Sequence, residues 1–184
     1  MRLIFSIIVI LLSLESRALS FEGNVSRTKA YLKFNDLIQR KSYALNASSA
    51  LISTYINKLS DGDFISLEGI RDEKQTILTV SSVNYIGLSL LIGTWLGDDL
   101  YCYTFMSYTE FSVSYRGVGK KCGPATAPNY TYFINPSTNA WVMLLAGERG
   151  SYVGDLIINN PKDIEIQLYD SETGNILRKI HLRK

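Results

Sequence analysis

The sequence has few of the side chains that usually carry enzyme chemistry. It contains one histidine, His181, and two cysteines, Cys102 and Cys122, in 184 residues. It has neither a Gly-x-Ser-x-Gly elbow nor a glycine-rich phosphate loop ahead of a helix. No Cys-x-x-Cys spacing is present and the histidine is far along the chain, which argues against a zinc site. These absences predict a non-catalytic protein without a metal or another cofactor.

An excess of charge of one sign is also absent, since 19 basic residues face 17 acidic ones. A balance so close to neutral gives no reason to expect a nucleic-acid partner or binding to a membrane surface. Two acidic pairs, Asp61 with Asp63 and Asp98 with Asp99, have the oxygen ligands that Ca²⁺ prefers but not the spacing of a calcium loop. Both pairs lie beside glycine, so we predict that they form turns.

Long apolar runs are absent except at the start of the chain, MRLIFSIIVILLSLESRALSFEG. Arg2 precedes an apolar stretch of about 12 residues, short of the ~20 that span a bilayer. Ala18-Leu19-Ser20 completes the pattern of a signal peptide, residues 1–20, cleaved after Ser20. Cleavage would leave 17 basic and 16 acidic residues, a net charge of +1. We therefore predict a secreted or periplasmic protein with no transmembrane segment after cleavage.

The two cysteines remain after such a cleavage. An exported protein meets an oxidising compartment, so Cys102 and Cys122 are predicted to form a disulfide rather than two free thiols. Closing a loop of roughly 20 residues in this way is worth about 3 kcal/mol on the chain-entropy estimate.

Residues 21–60 are predicted to form an N-terminal helical segment. Between residues 26 and 59 apolar side chains recur at spacings of 3, 4 and 7, as on one face of an amphipathic helix. Asn46-Ala47-Ser48-Ser49 is a point where the segment would break into two helices. Basic residues concentrate near its start, which fits either a solvated face or a surface that contacts a partner.

Residues 61–184 are predicted to form an antiparallel β domain. Segments of five to eight residues alternate with turn signals, beginning with the hairpin FISLEGI (64–70) and TILTVSSV (76–83). This spacing is typical of a β-barrel or a sandwich. The predicted fold is therefore mainly β, with the amphipathic helix of residues 21–60 packed against the barrel or sandwich.

Two stretches resemble known barrel families. Ile92-Gly93-Thr94-Trp95 resembles the Gly-x-Trp signature that opens lipocalin-like (calycin) barrels, and the resemblance extends over about residues 90–184. It implies an eight-stranded barrel in which Gly93 relieves crowding, Trp95 closes the floor, and Arg178 or Arg183 lies over the indole. The stretch GDFISLEGI (62–70) resembles the opening of an OB-type barrel.

These features predict a binding protein for a small apolar ligand or for another protein of the cell envelope. The alternative is a structural or assembly accessory protein of the envelope that acts through its N-terminal helix. In a eukaryotic source, Asn24, Asn46 and Asn129 begin Asn-x-Ser/Thr sequons and would be candidate glycosylation sites.

Overall fold

The computed structural model describes residues 18–28, 31–72, 74, 76–137, 140–148 and 150–184. Most of the predicted signal peptide, residues 1–17, lies outside this part of the chain. The last two residues before the predicted cleavage site, Leu19 and Ser20, begin the first strand and pair with Gly69 and Glu68. Among the described residues, no helix is long and apolar enough to cross a bilayer.

The first half of the chain forms a closed five-stranded barrel, here called the small barrel. Its elements are β1 (Leu19–Arg27), β2 (Leu32–Asp36), β3 (Ser42–Ala47), α1 (Ala50–Lys58), β4 (Phe64–Asp72) and β5 (Ile77–Gly87). The strand order is β1-β2-β3-β5-β4, with β3 parallel to β5 and all other pairs antiparallel. A five-stranded Greek-key barrel with its helix between β3 and β4 has the OB-type arrangement.

The predicted helix over residues 26–59 is wrong for most of its length. Only Ala50–Lys58 is helical, and the residues before it form β2, β3 and the end of β1. Period-two burial is visible in β2, where Leu32, Phe34 and Asp36 are buried and the residues between them are not. Short strands separated by turns gave helix-like spacings by coincidence. The alternative function, an assembly factor acting through this segment, stays a prediction, and α1 is the helix through which it would act.

Helix α1 packs against the small barrel and does not extend from it. The Ser49 hydroxyl accepts a hydrogen bond from the Ile52 amide at 3.3 Å, which caps the first turn. Ile52 and Ile56 lie one turn apart and are buried, whereas Leu51 is exposed. The helix therefore covers the barrel with a single narrow apolar stripe.

The second half of the chain forms a closed eight-stranded barrel, here called the large barrel. Its strands are β6 (Gly93–Gly97), β7 (Tyr101–Phe105), β8 (Glu110–Tyr115), β9 (Tyr130–Pro136), β10 (Trp141–Gly147), β11 (Gly150–Asn160), β12 (Asp163–Tyr169) and β13 (Ile176–Arg183). Each strand pairs antiparallel with the next, and β13 closes on β6. The predicted mainly β, antiparallel fold is confirmed, as a closed barrel and not a sandwich.

The small barrel packs against one end of the large barrel. Tyr108, in the β7–β8 turn, stacks on Phe64 and donates its hydroxyl to the Gly62 carbonyl at 2.7 Å. A Cβ on Gly87 would lie 2.6 Å from the Tyr108 ring, so glycine permits this close approach. In the β9–β10 turn, the Ser137 carbonyl accepts a hydrogen bond from the Lys58 ammonium at 2.9 Å. The opposite end of the large barrel is free of the small barrel.

Candidate functional site

The end of the large barrel next to the small barrel is filled with side chains. Trp95 is fully buried there, and its indole N–H donates to the Leu91 carbonyl at 2.7 Å. Gly93 begins β6 with φ +115°, a conformation that a side chain would strain. Large inward-facing residues from the neighbouring strands complete the filling: Phe105, Tyr132, Ile134, Met143, Leu156 and Leu182. We call this region the closed end.

The cation over Trp95 is Lys184, not Arg178 or Arg183 as the resemblance implied. The Lys184 ammonium lies 4.6 Å from the centre of the Trp95 ring. It also donates to the carbonyls of Leu90 and Ile92 at 2.7 and 3.0 Å. Arg178 lies near the start of β13, at the other end of the barrel. It is about a strand length from Trp95 and so cannot reach the indole.

The other end of the large barrel contains an open cavity, here called the cup. Its volume is about 290 Å³. Seven of the eight strands line it with side chains that are mostly aromatic or aliphatic: Tyr103, Phe111, Val113, Tyr130, Leu145, Tyr152, Ile166, Leu168, Leu177 and Ile180. An eight-stranded barrel is just wide enough to be filled by side chains or to hold one small ligand. This barrel does both, at its two ends.

A polar triad lies at the rim of the cup. The Arg178 guanidinium forms an ion pair with the Asp99 carboxylate at 2.5 Å, and Arg178 also lines the cavity. The Tyr103 hydroxyl donates to the same carboxylate. Burial, with this hydrogen bond as the second cause, raises the pKa of Tyr103, so the phenol stays neutral at physiological pH. The rim therefore offers one guanidinium donor and one carboxylate acceptor whose charges balance.

The predicted disulfide between Cys102 and Cys122 is confirmed. Cys102 lies on β7 and Cys122 in the long β8–β9 connection, with the two Cα atoms 5.7 Å apart. The bond holds that connection against the outer wall of the barrel, because Tyr103, next to Cys102, faces the cup.

The acidic pairs form turns and gather no metal ligands. Asp63 is buried and accepts hydrogen bonds from the amides of Ser60 and Ser89 and from the Ser89 hydroxyl. Burial raises the pKa of Asp63 above its ordinary value, although these hydrogen bonds oppose the shift. Within the described part of the chain, no three His, Cys, Asp or Glu side chains come close enough to hold a metal ion.

The candidate sequons occupy three different environments. Asn46 is exposed at the end of β3, and Asn24 is partly buried with its amide directed at the Gly62 carbonyl. Asn129 is exposed, but its side chain exchanges two hydrogen bonds of 2.9 Å with the backbone of Val113. Among the described residues, no hydrogen-bond partner is found for the side chain of Asn46.

Sequence reasoning did not identify the residues of the cup. Alternation within each strand shows which side chains face one side, as for Tyr103 beside the outward Cys102. It does not show how far along the barrel axis a residue lies, which depends on register between strands. The sequence therefore indicated which side chains face the barrel interior, but not which of them lie at the open end where the cup is.

Comparison with known proteins yields no relative: no protein-family model, no curated protein and no solved structure matches this chain. The all-β, closed-barrel architecture is shown by the structure itself. The likeness of the Gly93–Trp95 stretch to lipocalin-like barrels is a likeness of motif and strand number.

Proposed function

We propose that this chain is a non-catalytic binding protein, acting outside the cytosol, that holds a small apolar ligand in the cup of the large barrel. The observation that supports the proposal is the cavity of about 290 Å³ with aromatic and aliphatic walls. Concave, mainly apolar cavities with a few polar groups are the usual form of small-molecule sites. The Gly-x-Trp resemblance favours the same reading, because lipocalin-like barrels hold their ligands inside the barrel.

The rim narrows the chemistry of the ligand. Asp99 already neutralises Arg178, so a second carboxylate would have to compete with Asp99 for the guanidinium. A neutral carbonyl can instead accept from Arg178, and a neutral hydroxyl can accept from Arg178 or donate to Asp99, without displacing either side chain. The volume equals that of about ten water molecules at their liquid density, which limits the ligand to a compact molecule. We therefore propose a small, uncharged, mostly apolar ligand with one polar end.

The Cys102–Cys122 disulfide supports the proposed location. Such bonds persist in oxidising compartments and are rare in the cytosol. Together with the predicted signal peptide of residues 1–20, it favours a secreted or periplasmic protein.

A matched pair of substitutions tests the cup. Val113 lines the cavity, whereas Val153 on β11 is exposed on the outer wall. Val113→Phe adds a ring inside the cup, and Val153→Phe makes the same change outside it. The uncharged fluorescent probe N-phenylnaphthylamine would be titrated into all three proteins, with native mass spectrometry giving the stoichiometry.

We expect one probe per chain in the wild type, binding at least tenfold weaker to Val113→Phe, and unchanged binding to Val153→Phe. Filling a cavity removes the volume that the probe occupies, so the effect should appear in affinity rather than in folding. Absence of binding to the wild type, or equal weakening in the two variants, would contradict a ligand site in the cup.

A further inference from the structure

A second cavity lies on the outer wall of the large barrel, where basic side chains converge. Its volume is about 250 Å³, and we call it the basic cleft. Strand β6 forms its floor through Thr94 and Leu96, while the end of β13 and the β8–β9 connection form its sides. Five cationic residues line it, namely Arg116, Lys120, Lys121, Arg183 and Lys184, and none of its described lining residues is acidic.

Most of this positive charge has no counterion. Arg183 lies 3.8 Å from Asp163, and Lys184 is bound to two backbone carbonyls and the Trp95 ring. For Arg116, Lys120 and Lys121, the described residues provide no ion-pair partner. Like charges held together repel one another, and an anion bound among them relieves that repulsion.

The side chain of Arg116 provides a second, independent observation that favours an anion in the cleft. Its Nε atom is buried and has no hydrogen-bond partner among the described residues. A buried N–H without an acceptor is costly, and native structures rarely leave one unpaired. The backbone fixes this residue at the end of β8, because its amide donates to the Leu100 carbonyl at 2.9 Å. Because the Nε atom is shielded from solvent, an oxyanion in the cleft would become its acceptor by drawing the guanidinium outward.

We propose that the basic cleft binds a small phosphorylated anion that carries two or more negative charges. A guanidinium binds phosphoryl oxygens in a bidentate manner, and lysines contribute point charges. A phosphate group carries about −1.5 to −2 charges at neutral pH, so two such groups match the unpaired cations. The Cys102–Cys122 disulfide anchors the connection that carries Lys120 and Lys121, which holds the cleft in place before the anion arrives.

Isothermal titration with inorganic pyrophosphate at low ionic strength tests this site. The test variants are Lys120→Gln/Lys121→Gln and Arg116→Gln. The control is Lys41→Gln/Lys74→Gln, which removes two exposed charges from the small barrel; it matches the change in net charge of the double lysine variant and exceeds that of Arg116→Gln. We expect one pyrophosphate per wild-type chain, at least tenfold weaker binding in each test variant, and less than twofold change in the control.

A vesicle arm identifies the source of the phosphoryl group. Phosphatidylcholine vesicles with and without phosphatidic acid would be sedimented with the protein, and free pyrophosphate added as a competitor. Sedimentation that requires phosphatidic acid and is reversed by pyrophosphate supports a lipid headgroup, while binding of free pyrophosphate alone supports a soluble ligand. Absence of pyrophosphate binding, or equal loss in the test and control variants, would overturn the proposal. Val113→Phe, which blocks the cup, should leave pyrophosphate binding unchanged, so this site and the proposed ligand site fail separately.

Discussion

The two barrels of this chain differ in what their interiors contain. The small barrel is filled along its length by residues that are fully buried, among them Phe21, Phe34, Ile65, Leu67 and Leu78. The large barrel is filled only at the closed end and is open at the cup. Barrel diameter grows with strand number, so five strands leave no space beyond their own side chains, whereas eight strands leave a choice.

Rings line both ends of the large barrel, so ring content alone does not make that choice. Trp95, Phe105 and Tyr132 fill the closed end, where the small barrel packs against the turns. Tyr103 and Phe111 line the cup, which lies at the end away from the small barrel. The two ends therefore differ in what covers them, and exposed residues at the rim of the cup are the ones that can change at low cost to folding.

The largest expected effect comes from removing a ring at the closed end. Trp95→Ala should lower the free energy of unfolding by about 3–5 kcal/mol, because it deletes a fully buried ring and leaves a cavity. Leu177→Ala, at the rim of the cup and 60% exposed, should cost less than about 0.5 kcal/mol. Urea unfolding followed by circular dichroism measures both. Similar losses in the two variants would remove the distinction between the two ends.

The length of a strand decided how well the sequence predicted it in the two barrels. Longer strands with clear alternation, such as Phe64–Asp72, were predicted within two residues at each end. Strand β2 was not, because five residues between turns do not establish a period. Pairing of β1 with β4, residues about 45 apart in the chain, stabilises the first strand, and no local pattern reports such contacts.

The candidate site was predicted only in part for a related reason. The disulfide follows from residue type and compartment alone, and it was predicted correctly. The partner of Trp95 depends on where β13 ends relative to β6, which is a matter of register. Arg178 and Lys184 lie on the same segment of sequence, yet they reach opposite ends of the barrel. The resemblance implied an arginine over the Trp95 ring, but the register of β13 places Lys184 there.

The second prediction concerns the disulfide, which exists only in the large barrel. Replacing Cys102 and Cys122 with serine should lower the free energy of unfolding by about 3 kcal/mol, since the unfolded chain regains the entropy of a loop of roughly 20 residues. Urea unfolding of the double variant, compared with the oxidised wild type, measures the loss. A wild type that loses the same amount on reduction provides the control. An unchanged midpoint in both would show that the bond does not constrain the unfolded chain.

The third prediction concerns Asp63, which connects the small barrel to the segment that enters the large one. Asp63→Ala should cost about 2–3 kcal/mol, because it removes a buried carboxylate and leaves the amides of Ser60 and Ser89 without that acceptor. Asp61→Ala, at an exposed neighbour in the same turn, serves as the control and should cost less than 1 kcal/mol. Equal losses would mean that the Asp63 bonds contribute nothing beyond the turn.

Burial of Asp63 makes the free energy of unfolding depend on pH and determines the direction of that dependence. The pKa of Asp63 is higher in the folded protein than in the unfolded chain, so the folded state retains its proton to higher pH. Its contribution to stability is therefore present below about pH 4 and is lost as the pH rises through the folded pKa. Asp63→Asn cannot titrate and should lack this decline in unfolding measurements between pH 4 and neutral. A parallel decline in both proteins would assign it to other groups.

The smallest expected effect concerns the seam where the large barrel closes. Two residue pairs, Leu182 with Gly97 and Arg183 with Leu96, join β13 to β6, as few as join β8 to β9, so Lys184 adds a bond where strand pairing is short. Lys184→Met keeps the apolar stem but removes the cation from the Trp95 ring and from two carbonyls. We expect a loss of about 1 kcal/mol, in the range of a partly exposed cation–π contact with its hydrogen bonds. Lys179→Met, on the same strand and 3.9 Å from Glu165 at the surface, should change stability by less than about 0.5 kcal/mol. If the two variants unfold at the same urea concentration, the closed end is sealed by its buried rings alone and the seam needs no cation.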